Sequence, residues 1–195
     1  MTEGMSHNAG NIIDWLQNEL GLYNDPSETE KMALSVDSTE GVYFLPTFTT
    51  GISFPYWDST ARGNIFGVDL DTKKEHIVRA VLEGFCFRIK DIVEGIIKDT
   101  KIQIEKIKAD GGVSQNKFLL QFLSDILEMD VELTGNPETT ALGAAFMAGL
   151  AVGYWKSEEE LLQLRRVEKI YKPQMTEEER NRKFNILLFF PFLSN

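Results

Sequence analysis

Cysteine is almost missing from these 195 residues. The single Cys86 excludes an internal disulfide framework and a cysteine-based zinc site. It stands between Phe85 and Phe87 in a helical pattern, the setting of a buried small hydrophobe. Histidine is scarce too, with two in the chain, and His76 has no second ligand at metal spacing, so it reads as structural. Basic charge is in deficit. The formal net charge is −10 and the pI about 4.8, which argues against a nucleic-acid partner, because phosphate contacts need a basic face. No apolar run is long enough to cross a bilayer, so no membrane span is expected. The start, MTEGMSHNAG, has neither the basic nor the apolar region of a signal peptide, and no N-x-[ST] sequon occurs. A reduced, cytoplasmic setting is expected. The phosphate-loop patterns G-x-x-x-x-G-K-[ST] and G-x-G-x-x-G are both absent.

What is present centres on Lys108-Ala109-Asp110-Gly111-Gly112-Val113-Ser114-Gln115-Asn116. The run Ile102 to Ala109 reads as a strand. Phe118, Leu119, Phe122, Leu123, Ile126 and Leu127 then recur at helical spacing, with Ser114 as the expected N-cap. The two glycines permit a turn at positive φ and a close approach to the backbone. The first turn of such a helix offers N–H groups to a polar or anionic ligand. Asn116 carries an amide able to donate and accept along a base edge, and Asp110 falls at the carboxyl end of the strand, where open α/β sheets bind ligands. Two readings stand at this point: a tight strand-to-helix connection, or a ligand cradle.

In chain order, Asn8 to Leu20 predicts a helix closed by Gly21. Ser27-Glu28-Thr29-Glu30 has capping-box spacing ahead of a short helix through Val36, and Val42 to Leu45 a strand stopped by Pro46. Residues 47–62 form a long loop unusually rich in aromatics, Phe48, Phe54, Tyr56 and Trp57. It reads either as a wall of a ligand cleft or as an Ω-like cover over a core edge. A short strand, Asn64 to Val68, precedes the longest helix, Lys73 to Lys98, with Thr72 and Glu75 as its box. Asp130 to Leu133 alternates as a strand, and Thr134 to Pro137 turns the chain. A helix to Val152 follows, its Ala141, Ala144, Ala145 and Ala148 read as a close-packing face. Ser157–Glu160 and Thr176–Glu179 open two charged helices, and Ile186 to Leu193 is an apolar tail. Alternating strands and helices indicate α/β.

Gly63-Asn64-Ile65-Phe66-Gly67-Val68, a seven-residue gap and His76-Ile77-Val78-Arg79-Ala80-Val81-Leu82-Glu83 resemble the second signature of the FGGY carbohydrate kinases. Gly41 to Pro46, Pro55-Tyr56-Trp57-Asp58, Ala61-Arg62-Gly63, Asp110-Gly111-Gly112 with Asn116, and Thr139 to Ala145 match that family in order and spacing, most closely its glycerol kinase branch. The likeness covers roughly Asn8 to Phe184.

The resemblance implies an actin-like ATPase (ribonuclease H-like) α/β domain, a mixed sheet flanked by helices and here incomplete. Residues 8–155 would be the C-terminal, nucleotide-side domain without its first strands, and 156–195 peripheral helices with an atypical tail. Gly111, Gly112 and Asn116 would meet the adenine portion of ATP, and Gly10 and Asp14 would face the same nucleotide. The family commonly carries Gln where Asp14 stands, and smaller residues before Pro55-Tyr56-Trp57. ATP and Mg2+ are the implied cofactors of the intact enzyme. Its reaction would be ATP-dependent phosphorylation of glycerol or a related polyol, bound only with the missing N-terminal domain. No catalytic or metal-binding residue is carried over onto this chain, and a homo-oligomer stays open. The alternatives are an inactive fragment serving as an interaction module, and the same half of another FGGY sugar kinase.

Overall fold

The computed structural model describes residues 4, 6, 8–48, 51–136 and 138–188, with side chains to Lys183. Its axis is α3, Lys74–Thr100, which buries most of the face from Val78 to Val93. Around it pack α1 (Gly10–Asn18), α2 (Glu28–Leu34) and α4 (Lys117–Leu127), with a two-stranded antiparallel ribbon of β1 (Tyr43–Leu45) and β2 (Asn64–Phe66). The second layer is a three-stranded sheet in the order β3 (Lys106–Ala109), β4 (Asp130–Thr134), β5 (Val167–Tyr171). β3 and β4 are parallel, joined through α4; β5 is antiparallel to β4. The helices α5 (Thr139–Ala151), α6 (Glu158–Leu164) and α7 (Glu177–Leu188) complete the order.

Several ends differ from the expected ones. The Thr72–Glu75 box does not form at α3: Lys73 is the N-cap residue with no side-chain cap bond, His76 Nδ1 accepts the Lys73 N–H at 3.2 Å, and Thr72 instead closes a turn on Asp69. That turn keeps the Thr72 hydroxyl away from the helix. β3 begins four residues after Ile102 because its partner starts at Asp130, opposite Lys106. β2 stops at Phe66, before Val68. The reading of 156–195 as helices plus tail misses β5, an edge strand wet on both faces, in which only Tyr171 is buried. The Thr176–Glu179 box forms in full, whereas Ser157 makes no cap bond and Glu160 takes the Lys156 N–H. The apolar run from Ile186 enters the end of α7, and Phe189 to Leu193 lie outside the described residues, as does Pro137.

Charged groups brace the helices. Glu83, 2% exposed, receives Arg79 Nε at 3.0 Å and Lys183 Nζ at 3.1 Å, tying α3 to α7. Arg79 also donates to the carbonyls of Ala33 and Val36 at the end of α2. Buried Asp125 accepts the Gln174 and Met175 N–H groups and so fixes the segment before α7.

The aromatic loop lies against α3. The Phe54 ring covers Gly95 so closely that a Cβ there would sit 2.5 Å from it. Arg88 donates to Ser53 Oγ at 3.1 Å and to the Phe54 carbonyl. The loop covers a core edge through Phe54, and Phe54 to Trp57 also wall a cavity of about 380 Å³ with Asp91 and Glu94 of α3. Burial pushes the Asp91 carboxyl up to about 6, against the opposing pull of Arg88, and the Tyr56 phenol beside it up to about 12.

Two expectations follow. Gly67 has φ +75°, and a Cβ there would lie 1.9 Å from the Gly41 carbonyl oxygen. Gly67→Ala should lower unfolding free energy by about 2–3 kcal/mol in a urea titration. Asp91 holds its proton more tightly folded than unfolded, so its contribution to stability falls as pH rises from about 4 to about 6. In Asp91→Asn that fall disappears. The change in stability from pH 4 to pH 7 should then differ from the parent's by on the order of 1–2 kcal/mol, in the variant's favour at pH 7.

Candidate functional site

A cavity of about 860 Å³ opens between α1, α2 and the start of α4. Gly10 and Asp14 reach it from α1, Thr29, Glu30 and Leu34 from α2, and Gly112, Val113 and Asn116 from the turn before α4. Four of the five expected site residues therefore share one cavity, although about a hundred residues separate the two groups. The fifth, Gly111, shapes the turn beside it. Its φ of +82° and ψ of 176° belong to glycine, whereas Gly112 needs no special conformation and presents open space where a Cβ would be. The conformational demand thus falls on Gly111, not on Gly112.

The helix start differs from the one expected. Residues Gly112–Gln115 form a 3-10 turn, which moves the helix start past Ser114 to Lys117. Ser114 is buried and donates its hydroxyl to the Gly111 carbonyl at 2.7 Å. The cap is Asn116, whose Oδ1 accepts the Leu119 N–H at 3.0 Å. Its Nδ2 donates to Thr29 Oγ1 at 3.2 Å. Glu30 Oε2 accepts the Lys117 N–H at 2.7 Å. The first turn of α4 is thus sealed by the chain's own groups, with a carboxylate where an anionic ligand was expected. Capacity remains in one N–H and one lone pair on the Asn116 amide, the exposed Asp14 carboxylate and the open backbone at Gly112, with Lys31, Gln115 and Lys117 also bordering the cavity.

Sequence reasoning does not single out Thr29 or Glu30, and it places Glu30 in a capping box with Ser27. That box is replaced by Asp25, which accepts the Ser27 N–H and hydroxyl at 2.8 and 2.6 Å, and by Glu28, which accepts the Asn24 and Asp25 N–H groups at 3.0 Å. Glu30 is left free to cross to α4. The signal that could have shown this is the nearby pair Asp25 and Glu28, which compete for the same N–H groups.

Beyond the turn lies a second cavity of about 1000 Å³. Lys108 and Asp110 border it from β3 and its carboxyl end, and Leu142, Phe146, Met147 and Leu150 from α5. Asp110 therefore borders this cavity and not the first. Among the described residues no group of three or more His, Cys, Asp or Glu converges as a metal site. Among the described residues nothing gathers as a donor set for Mg2+. No described helix is long and apolar enough to cross a membrane.

A sequence profile for the FGGY family of carbohydrate kinases, C-terminal domain, matches residues 1–152. Glycerol kinase from Staphylococcus haemolyticus is 44% identical over 182 residues, which are 93% of this chain and 36% of that protein. The crystal structure of Plasmodium falciparum glycerol kinase with ADP superposes with a TM-score of 0.85 at 35% identity, over 95% of this chain and 37% of that one. Ligand-bound xylulose kinase from Lactobacillus acidophilus gives 0.75 at 26% identity, over 95% of this chain and 37% of that one. The chain thus spans about a third of the length of these relatives. With its mixed sheet flanked by helices and an Asp110-Gly111-Gly112 turn between two cavities, this chain belongs to the FGGY carbohydrate kinases, as a match to their C-terminal domain.

Proposed function

We propose that this chain is the nucleotide-side portion of a glycerol-kinase-like enzyme and holds the base and ribose of ATP in the cavity between α1, α2 and α4. The observation that carries the reading is the convergence of Gly10, Asp14, Gly112 and Asn116 from two distant stretches on one cavity. A volume of about 860 Å³ accommodates a nucleoside. Ile13, Leu34 and Val113 supply apolar walls for a flat ring, and Gly112 lets the ring approach the backbone. The Asn116 amide orients a base edge, and the Asp14 carboxylate accepts from a ribose hydroxyl or an exocyclic amine. With Glu30 on the α4 N-terminus, the phosphates extend away from that helix.

In the intact enzyme the reaction would be transfer of the ATP γ-phosphoryl group to glycerol, giving ADP and glycerol 3-phosphate. Such transfer needs a metal, phosphate cradles and a base that orients the attacking hydroxyl. No residue of this chain is assigned those roles, so the polyol and Mg2+ belong to the remainder of the enzyme. Residues 8–155 carry the nucleotide side of the domain, and 156–195 complete it with β5 at the sheet edge, in a cytoplasmic protein. Another FGGY sugar kinase would use the same half, and the polyol pocket that separates the two lies outside this chain.

Calorimetric titration with MgATP and MgADP tests the reading. Saturable binding without glycerol phosphorylation is expected, and a folded chain that takes up no nucleotide would sink it. Because Asn116 caps α4, the informative change is Asn116→Ser, which keeps a capping oxygen and loses the amide. It should stay within about 0.5 kcal/mol of the parent's stability and weaken ATP binding roughly tenfold. Gly112→Val should fold as the parent does and abolish binding, since its side chain points into open space beside the cavity.

A further inference from the structure

The cavity of about 380 Å³ between the aromatic loop and α3 shares no lining residue with the other two. One wall is made by Phe54 and Trp57, whose rings meet edge to face at 76° with centroids 6.3 Å apart and so form an apolar corner. Trp57 is 74% exposed and sits in the left-handed region at φ 56°, which a bulky side chain rarely adopts. A large ring held outward on an unfavourable backbone points to a use other than core packing. The facing wall carries Asp91, Glu94 and Asp99 of α3. Arg88, which is outside the lining, lies 3.9 Å from Asp91, and Lys90 pairs with Glu94 at 2.7 Å. Even so the Asp91 carboxyl stays up at about 6, because its burial outweighs the pull of Arg88. Its ionised form therefore gains from further positive charge. Among the described residues these carboxylates do not gather as a metal site. Spread along a helix opposite aromatic rings, they suit a cation of diffuse charge with apolar groups better than a point charge.

We propose that this cavity is a binding site for a small alkylammonium ion, its alkyl groups in the corner of Phe54 and Trp57 and its charge shared between the Trp57 ring and the carboxylates of Asp91 and Glu94. The ring quadrupole attracts such a cation, and alkyl groups on nitrogen leave little hydration to strip away. A volume of about 380 Å³ lies at the small end of ligand pockets and so favours a compact ion. Lys98 also borders the cavity and acts as a tethered competitor. The charged and titratable groups around Asp91 are Arg88, Lys90 and Glu94 on its own helix and Tyr56 on the loop. Of these, Asp91 is the one held up at about 6, so it gates the site in the neutral range. The site is separate from the nucleotide cavity and does not depend on that reading.

The test is an NMR titration of the whole chain that follows the methyl signal of tetramethylammonium at constant ionic strength, with the neutral tert-butanol in parallel. Saturable binding is expected, with the cation held at least about fivefold more tightly than the alcohol. Trp57→Gly removes the ring and suits the left-handed backbone, so the circular dichroism should be unchanged and the affinity should fall at least about fivefold. Lys98→Met should tighten binding. Parent affinity should rise up to about tenfold from pH 5 to pH 7 as Asp91 loses its proton, and Asp91→Asn should bind more weakly at pH 7 with a nearly flat profile. The proposal is overturned if the folded chain shows no saturable binding, if tert-butanol binds as tightly, or if Trp57→Gly and Asp91→Asn leave the affinity unchanged. It is overturned equally if magnesium chloride competes as strongly as the ammonium ion, the behaviour of a merely acidic patch. A dimer in sedimentation that Trp57→Gly abolishes would also overturn it, since a second copy would then occupy the face.

Discussion

Gly84 lies so near β1 that a Cβ there would be 2.5 Å from the Phe44 carbonyl oxygen. That contact sets α3 against the ribbon, and the other elements take their places from α3. Within the next turn, the fully buried Cys86 thiol donates to the Leu119 carbonyl at 3.5 Å, and Phe87 meets Phe122 edge-on at 5.6 Å, which fixes α4. Burial also raises the Cys86 thiol well above its ordinary range, so it behaves as a packing group. With α4 fixed, β3 and β4 at its two ends are aligned in parallel.

The residues that mark the family in sequence are largely those that hold this arrangement. Gly67 allows the ribbon to close on Gly41. Arg79 pins the end of α2 through two carbonyls, and Glu83 takes both Arg79 and Lys183. Glu132 acts similarly across the sheet, held down to about 2 by its hydrogen bonds to Lys106 and Arg165. The second signature thus reports a scaffold. Asp14 and Asn116, which border the cavity, lie outside that signature.

Long periodic segments are readable because their burial repeats within a few residues: α3, α4 and β4 lie close to where periodicity puts them. The helix ends are not. Lys101 and Glu128 close α3 and α4 in the left-handed region at φ 61° and 55°, where glycine is the usual marker. β5 is invisible because neither face is buried enough to impose alternation. At the site, Gly10, Asp14, Gly112 and Asn116 are legible through family likeness, since spacing alone does not join residues about a hundred positions apart. Thr29 and Glu30 escape notice for the same reason: their partners, Asn116 and Lys117, are 87 residues away.

Those two long-range bonds have a consequence for energetics. Because α2 is already latched to α4 by Thr29 and Glu30, the cavity wall is in place before any ligand arrives. A molecule entering there need not order a segment first, so little of its interaction energy is drawn off by conformational entropy. The heat-capacity change of any such binding would reflect contact with the apolar groups of the wall, Ile13, Leu34 and Val113 among them, without the greater change that accompanies coupled folding. Preorganisation of this kind is built by residues that never need to touch the ligand.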